Sequence, residues 1–502
     1  LIQRKPPQRA PHDSGDMNAT HPSPALEVAL DDALDDELLR RFDVPGPRYT
    51  SYPTADRFGD AFDAAQYQRT LVMRSSDSGK SAAPLSIYVH IPFCESVCYY
   101  CACNKVITRH HERAVEYLDA LATEIELHAT ALDTGVPVSQ LHLGGGSPTF
   151  LSDAELTRLM AMLRGAFRLL PDAEVSIEVD PRTVTPQRLA HFRSLGFNRI
   201  SFGVQDIQPE VQQAVHRVQP FEDVRVLVAA ARVQGYESIN VDLIYGLPKQ
   251  TPQTLAETVA RVAELRPDRV ALYGYAHLPE RFKPQRRIVT AELPTGADRV
   301  AMLRRAINGF LGAGYEDIGM DHFALPGDAL ARARRAGRLH RNFQGYGTQP
   351  DCDLIGLGVS AIGRMGSSYS QNAKTLPEYY EALAQRRFPV VRGLALDSDD
   401  LLRREVIMAL MCQGRADLST RGHAHGVDGA AYFAPELASL QVFVADGLVE
   451  IDGGATVQVT PRGWLLVRAI AMVFDRHLQA ARARVREGRT GEAGGARFSR
   501  VL

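Results

Sequence analysis

I-Y-V-H-I-P-F-C-E-S-V-C-Y-Y-C-A-C-N-K, running from Ile87 to Lys105, is the stretch that decides how the rest of the chain is read. Its β-branched and aromatic opening, with Leu85 and Ser86 before it, predicts a strand over Leu85–Ile91 that Pro92 ends. Cys94, Cys98, Cys101 and Cys103 then fall within ten residues, whereas Cys352 and Cys412 stand alone. Isolated cysteines usually act as small buried hydrophobes, and these two are read as core. Four in one short stretch have no packing rationale. Disulfides are rare in a reducing compartment, so metal or cluster ligation is the reading. The spacing, C-x3-C-x2-C with aromatic Tyr100 before the third thiol, differs from the paired C-x2-C of zinc knuckles.

Outward from this stretch a rhythm appears. Strands are predicted over Leu85–Ile91, Gln140–Leu143, Glu174–Val179, Arg199–Val204, Ser238–Ile244 and Arg269–Tyr275. Helical patterns over Ala114–Leu132, Asp153–Phe167, Glu222–Val233 and Thr254–Leu265 alternate with them. Gly196, Gly235 and Pro267 stop helices just before three of the strands. Such alternation predicts parallel strands with crossover helices, here an α/β partial (β/α)6 TIM-like barrel; a doubly wound sheet would give the same pattern. Residues 44–375 are assigned to this catalytic domain. Residues 376–502 read as a smaller, mainly helical C-terminal domain, with helices over Leu376–Arg387, Asp399–Met411 and Gly463–Arg482 and a strand pair near Leu448–Val459. Residues 1–43 read as a tail with an amphipathic helix over Ala25–Phe42, and Met17 is a candidate initiator. The first 24 residues and the end from Arg486 are expected to be disordered.

Composition bounds the function. The 502 residues are 45% apolar and 23% charged with a net charge of −2, as in an ordinary globular enzyme. That charge offers no general attraction to nucleic acid or anionic lipid, so neither is expected as a partner. No run reaches the roughly 18 apolar residues of a membrane span, and no apolar signal core opens the chain. A cytoplasmic protein is expected.

Three close thiolates on a loop after a barrel strand can hold three irons of a [4Fe-4S] cluster and leave the fourth iron open. The segment resembles the signature of the radical S-adenosylmethionine (SAM) enzymes. Cys103 would be a poor fourth ligand, because closing that iron would block SAM; it is read as a thiol beside the site. H-L-G-G-G-S-P-T, His142–Thr149, follows the second strand and resembles the glycine motif that holds the amino end of SAM in those enzymes; glycines permit close backbone approach.

Further motifs narrow the resemblance. P-G-P-R-Y-T-S-Y-P-T (Pro45–Thr54), I-E-V-D-P-R, G-V-Q-D, V-D-L-I-Y-G-L-P-K-Q-T, Y-G-Y-A-H-L-P and H-R-N-F-Q-G-Y-G-T-Q together resemble the oxygen-independent coproporphyrinogen III oxidase family. The likeness runs from about Glu37 into the C-terminal domain. It implies Cys94, Cys98 and Cys101 as cluster ligands, with Tyr88, Gly145, Glu178 and Ile362 around the SAM on the cluster. A second SAM is implied against Tyr100, Gly146, Ser147, Gln205, Arg217, Asp242 and Ala276, where Arg217 and Asp242 would suit a carboxylate and an ammonium. Gln344 matches a position implicated in activity. Tyr100 stands where the family usually has Phe, and Ser147 where it commonly has Thr; both substitutions keep the shape class.

The implied chemistry is the conversion of the ring A and B propionates of coproporphyrinogen III to vinyl groups, giving protoporphyrinogen IX. SAM cleavage supplies a 5′-deoxyadenosyl radical, which removes a propionate β-hydrogen before CO2 and an electron leave. A reductant protein such as a flavodoxin or ferredoxin is implied, acting on a monomer. Arg48, Arg281 and Arg341 are candidate partners for the substrate's carboxylates, which are costly to bury unpaired. The competing reading is a haem-carrying chaperone relative, which shares the cluster loop but typically lacks the Pro45–Thr54 segment and the equivalent of Cys103. A zinc-binding barrel is a more distant alternative.

Overall fold

A computed structural model describes residues 36–77, 83–132, 135–349, 351–487 and 498–500. The six strands that repeat with helices are β1 (Leu85–Ile91), β2 (Pro137–Gly145), β3 (Arg168–Val179), β4 (Arg199–Gln205), β5 (Ser238–Tyr245) and β6 (Arg269–Gly274). All five pairings between neighbours in that series are parallel. Crossover helices α1 (Arg113–Leu132), α2 (Asp153–Ala166), α3 (Pro186–Ser194), α4 (Phe221–Val233) and α5 (Pro252–Glu264) connect them. Local chemistry sets their ends. Ser152 and Thr251 close capping boxes on α2 and α5. Gly196 and Gly235 carry φ of +90° and +75° just after α3 and α4. Helix α3, the one that Gly196 stops, begins on Pro186 and buries Leu189 and Phe192 among several polar residues.

The six predicted strands are present and parallel, but the sheet is larger among the described residues, and Leu354–Leu357 adds a seventh parallel strand. It has twelve strands, continued by β7 (Glu316–Gly319), β8 (His322–Ala324), β9 (Leu354–Leu357), β10 (Ile362–Met365), β11 (Ser368–Asn372) and β12 (Val390–Ala395). The order is β12-β11-β10-β9-β1-β2-β3-β4-β5-β6-β8-β7, with β9 parallel to β1 and the other additions antiparallel. These strands are three to six residues long and rich in Gly, Ser and polar groups, so they lack a readable period of two.

Strand β12 lies past the boundary expected at residue 375, so the sheet claims residues to Ala395 and the next helix starts at Ser398. A second core joins Leu402–Leu478 of the C-terminal part to Leu38, Phe42, Tyr49 and Tyr52 from the start of the described chain. The tail and the Pro45–Thr54 segment therefore pack with the C-terminal part, where Tyr49 donates to Asp475 at 3.0 Å. The expected helix Gly463–Arg482 is broken, because Asp475 caps a new helix over Arg476–Arg486. Of the expected helix Ala25–Phe42, Asp36–Phe42 is described; residues 1–35 and 488–497 lie outside the described residues.

Alternation along the barrel strands places the site. On β4, Ile200, Phe202 and Val204 join the core, while Ser201, Gly203 and Gln205 line a cavity. Glu178 opposes Ser201, Ser201 opposes Asn240, and Gly203 opposes Asp242, so polar residues of neighbouring strands form shared layers.

Candidate active site

The cysteine loop leaves β1 at the C-terminal end of the sheet and is held down by the glycine turn after β2. Gly146 N donates to Ile91 O at 2.8 Å and Ser147 N to Phe93 O at 2.9 Å. Each glycine is needed for a separate reason. A Cβ on Gly144 would meet the Glu178 carboxyl carbon at 2.8 Å, and one on Gly145, whose φ is +114°, would meet the His90 ring at 2.5 Å. On Gly146 it would meet Pro92 O at 2.6 Å, backbone that cannot swing away.

Cys94, Cys98, Cys101 and Cys103 line one cavity of about 330 Å³ together with Gly145, Gly146, Ser147, Glu178, Gln205, Arg217 and Asp242. Among the described residues no three His, Cys, Asp or Glu side chains converge on a point that would hold a single metal ion. The surroundings of the thiols fit an anionic cluster: Arg217 Nη1 lies 3.4 Å and Arg182 Nη2 3.7 Å from the Cys98 sulfur. Such donors orient a ligand and offset the charge behind it. Burial pushes the Cys94 thiol up to about 12, whereas Cys101 is held down at about 6, chiefly by its hydrogen bond with Cys103 and then by Lys105 against the effect of burial.

Asp180 ties the two arginines together. Arg182 reaches it at 2.6 Å, and both ends of the Arg217 guanidinium reach it at 3.3 Å. Burial would raise the Asp180 carboxyl, but Arg217 and then Arg182 hold it below the usual carboxylate range. Arg217 also donates to Gly203 O at 2.6 Å, and its Nε is buried without a partner. Arg217, read from the sequence as suited to a carboxylate ligand, is already matched within the chain by Asp180 and Cys98. Asp242 accepts from Ser201 at 2.7 Å and Asn240 at 2.9 Å, and burial raises it to about 6.

Glu178 accepts from His142 Nε2 at 3.1 Å and from Gly145 N at 3.2 Å. Burial works to raise this carboxyl, but the His142 bond leads the contributions that bring it below its ordinary value. Its side chain is 45% exposed, which reflects the open cavity it lines. On the next strand His142 stacks on Tyr88 with centroids 5.9 Å apart. The Tyr88 hydroxyl lies 3.0 Å from His90 Nδ1, and His90 Nε2 faces Asn104 O at 2.9 Å. A carbonyl only accepts, so Nε2 carries the proton and Tyr88 donates to Nδ1.

Tyr100 also lines the cavity, but Tyr88, Ala276, Ile362 and Gln344 are not among its lining residues. Ala276 O accepts from Gln285 at 3.1 Å, beside Tyr100 O at 3.0 Å from the same amide. Ile362 begins β10, and Gln344 sits at a hairpin turn with its Nε2 buried and unpartnered. Arg48 proves to be paired with Asp321, so its charge is already matched within the chain. Arg341 lies 4.5 Å over the Tyr346 ring with Nη1 buried and unpartnered, and Arg281 is on an exposed segment near Phe282. Cys352 and Cys412 are buried, as read from the sequence. The sequence reading passed over Asp180, Arg182 and Lys105. Asp180 and Arg182 stand in the quoted D-P-R, where the i, i+2 acid–base spacing was the available signal.

Comparison with known proteins matches residues 88–262 to the radical SAM superfamily and 396–466 to the HemN C-terminal domain. The chain is 47% identical to the oxygen-independent coproporphyrinogen III oxidase of Pseudomonas aeruginosa, over 93% of this chain and 98% of that one. It is also 47% identical to the enzyme of that name from Escherichia coli K12, with the same coverage. The solved structure of coproporphyrinogen III oxidase (HemN) from Escherichia coli, a radical SAM enzyme, superposes with a TM-score of 0.83 at 48% identity. That match covers 86% of this chain and 98% of the solved one.

Proposed function

The chain belongs to the oxygen-independent coproporphyrinogen III oxidase family, and we propose that it oxidatively decarboxylates the ring A and B propionates of coproporphyrinogen III to the vinyl groups of protoporphyrinogen IX. One observation carries the reading: the three ligand cysteines, the glycine turn, Glu178, Arg217 and Asp242 line a single cavity at the C-terminal ends of parallel strands. A [4Fe-4S] cluster and SAM are the cofactors. When bound and reduced, the cluster supplies the electron that cleaves SAM to methionine and the 5′-deoxyadenosyl radical that takes the propionate hydrogen.

The chain's own residues do the holding and orienting. Cys94, Cys98 and Cys101 would ligate the cluster, with Arg182 and Arg217 donating toward the Cys98 sulfur. Glu178, fixed by His142 and Gly145, would offer its carboxylate to the hydroxyls of the first SAM. Gly145 lines the cavity beside it, and Tyr88 and Ile362 would act from outside that lining. Tyr100, Gly146, Ser147, Gln205, Arg217 and Asp242, with Ala276 outside the cavity lining, would hold the second SAM, where Asp242 would be the acid for an ammonium. Gln344 keeps a buried amide nitrogen without a partner, which supports a role for it in the activity. Arg341, with a buried guanidinium nitrogen to spare, is the best placed of the three arginines for a substrate carboxylate.

The enzyme works as a monomer in the cytoplasm on this reading, with a flavodoxin or ferredoxin as reductant. All six thiols are free, which suits a reducing compartment, and no helix among the described residues is long and apolar enough to cross a membrane. The test is an anaerobic assay with reconstituted cluster, SAM, a reductant and coproporphyrinogen III. Vinyl product is expected; stoichiometric haem binding without it would favour the chaperone reading instead.

A further inference from the structure

Beside the cysteine loop runs R-F-K-P-Q-R-R, Arg281–Arg287, with four cations and no acid in seven residues of a chain whose net charge is −2. Arg281, Lys283, Arg286 and Arg287 are exposed, while Gln285 between them is 1% exposed. That buried amide clamps the segment to the loop, donating to Tyr100 O at 3.0 Å and Ala276 O at 3.1 Å and accepting from Leu278 N at 2.6 Å. Arg287 lies 5.3 Å over the ring of Tyr99, which itself stacks on His216 at 5.1 Å. Lys283, Arg286 and Arg287 have no salt-bridge partner among the described residues. On the other side of the loop Asn104 binds Lys374 O at 2.9 Å, and Lys374 is exposed. Its ammonium is made easier to deprotonate by burial, then by the positive Arg392 and Arg281 nearby, so cations gather there. Glu95 and Glu280 are the exposed acids closest along the chain.

We propose that the Arg281–Arg287 segment and Lys374 form a docking face for an acidic one-electron carrier protein, bringing its redox group against Tyr99 and the cysteine loop. The inference rests on the oxidase reading, which requires one electron to reach the cluster held by Cys94, Cys98 and Cys101. In each encounter the carrier is oxidised by one electron and the cluster gains it, with no other co-reactant. A macromolecular partner is favoured over substrate carboxylates because Lys283, Arg286 and Arg287 do not line the cavity. They stand on its outer side, where charge acts by steering and orienting a large partner. The clamp through Gln285 keeps that surface in fixed register with the ligand loop.

The test compares K283E/R286E with K283Q/R286Q in cluster-loaded enzyme, using reduced flavodoxin as the acidic carrier and dithionite as the non-protein reductant. Charge reversal is expected to cut flavodoxin-supported turnover at limiting carrier about tenfold, with the neutral pair intermediate. Dithionite-supported turnover should stay unchanged. Flavodoxin affinity measured directly at low ionic strength should fall in the same order, and its salt dependence should flatten. Equal losses with both reductants would overturn the proposal and assign the cations to substrate or fold. Unchanged flavodoxin affinity would overturn it as well. Absence of product with dithionite in the unmodified enzyme would instead defeat the oxidase reading.

Discussion

Arg217 Nη1 lies 3.4 Å from the sulfur of Cys98, and the same guanidinium grips both oxygens of Asp180 at 3.3 Å. A ligand cysteine and a carboxylate 82 residues farther along the chain are thus tied by an arginine from a third element. Removing the guanidinium leaves Asp180, 13% exposed, with Arg182 alone. Arg217→Leu should destabilise the metal-free protein by about 3 kcal/mol, read by urea unfolding, because one partner of a buried charge network is lost. A change within error would mean that Arg182 alone satisfies Asp180.

Cys98→Ala should abolish both the cluster absorbance and SAM cleavage after anaerobic reconstitution. Cys352→Ala, in the core and away from the cavity, should keep both. Survival of either signal in the Cys98 variant would remove it from the ligand set.

Gly146→Ala places a methyl carbon 2.6 Å from Pro92 O, so the cysteine loop must move. Overpacking against backbone costs about 2 kcal/mol. Iron bound per chain should fall as the loop shifts, and normal iron content would show that the turn is slack. Gly165→Ala, with open space around it, is the matched control and should be silent.

Asp242, raised to about 6 by burial, is charged above that pH and neutral below it. If it holds the ammonium of the second SAM, affinity should weaken as pH falls through about 6. SAM stoichiometry at pH 5.5 and 7.5 checks this, with Asp242→Asn expected to behave at both values as the unmodified protein does at the lower. A second equivalent retained by the variant would assign Asp242 a structural role.

Glu124 is fully buried and accepts from Tyr379 at 2.6 Å and from Gly358 N and Asn372 at 2.7 Å. Burial raises it to about 7 despite those donors. The folded state therefore holds a proton that the unfolded chain releases near 4.5, so the stabilisation is full below about 4.5 and is lost as pH rises toward 7. The change amounts to about 3 kcal/mol. Unfolding free energies between pH 5 and 7 should show this slope, and Glu124→Gln should flatten it.

The sequence by itself determined the repeating parallel strands of the fold and the crowding of thiols on one loop. Strands such as Arg199–Gln205 alternate core and cavity residues, and that period is written in the local order of side chains. The crowding of Cys94, Cys98 and Cys101 is likewise local, as is the glycine turn that holds their loop. Tertiary structure decided what pairs with what. The added strands between Glu316 and Ala395 are too short to announce themselves, and they exist because neighbours supply their hydrogen bonds. Arg48 looked free for a substrate carboxylate until the fold set it on Asp321, 273 residues away. Arg217 looked free for a ligand carboxylate, yet it binds Asp180 and Cys98. A charge carries no record of its partner along the chain, because the attraction depends on distance in space and on the water that folding excludes.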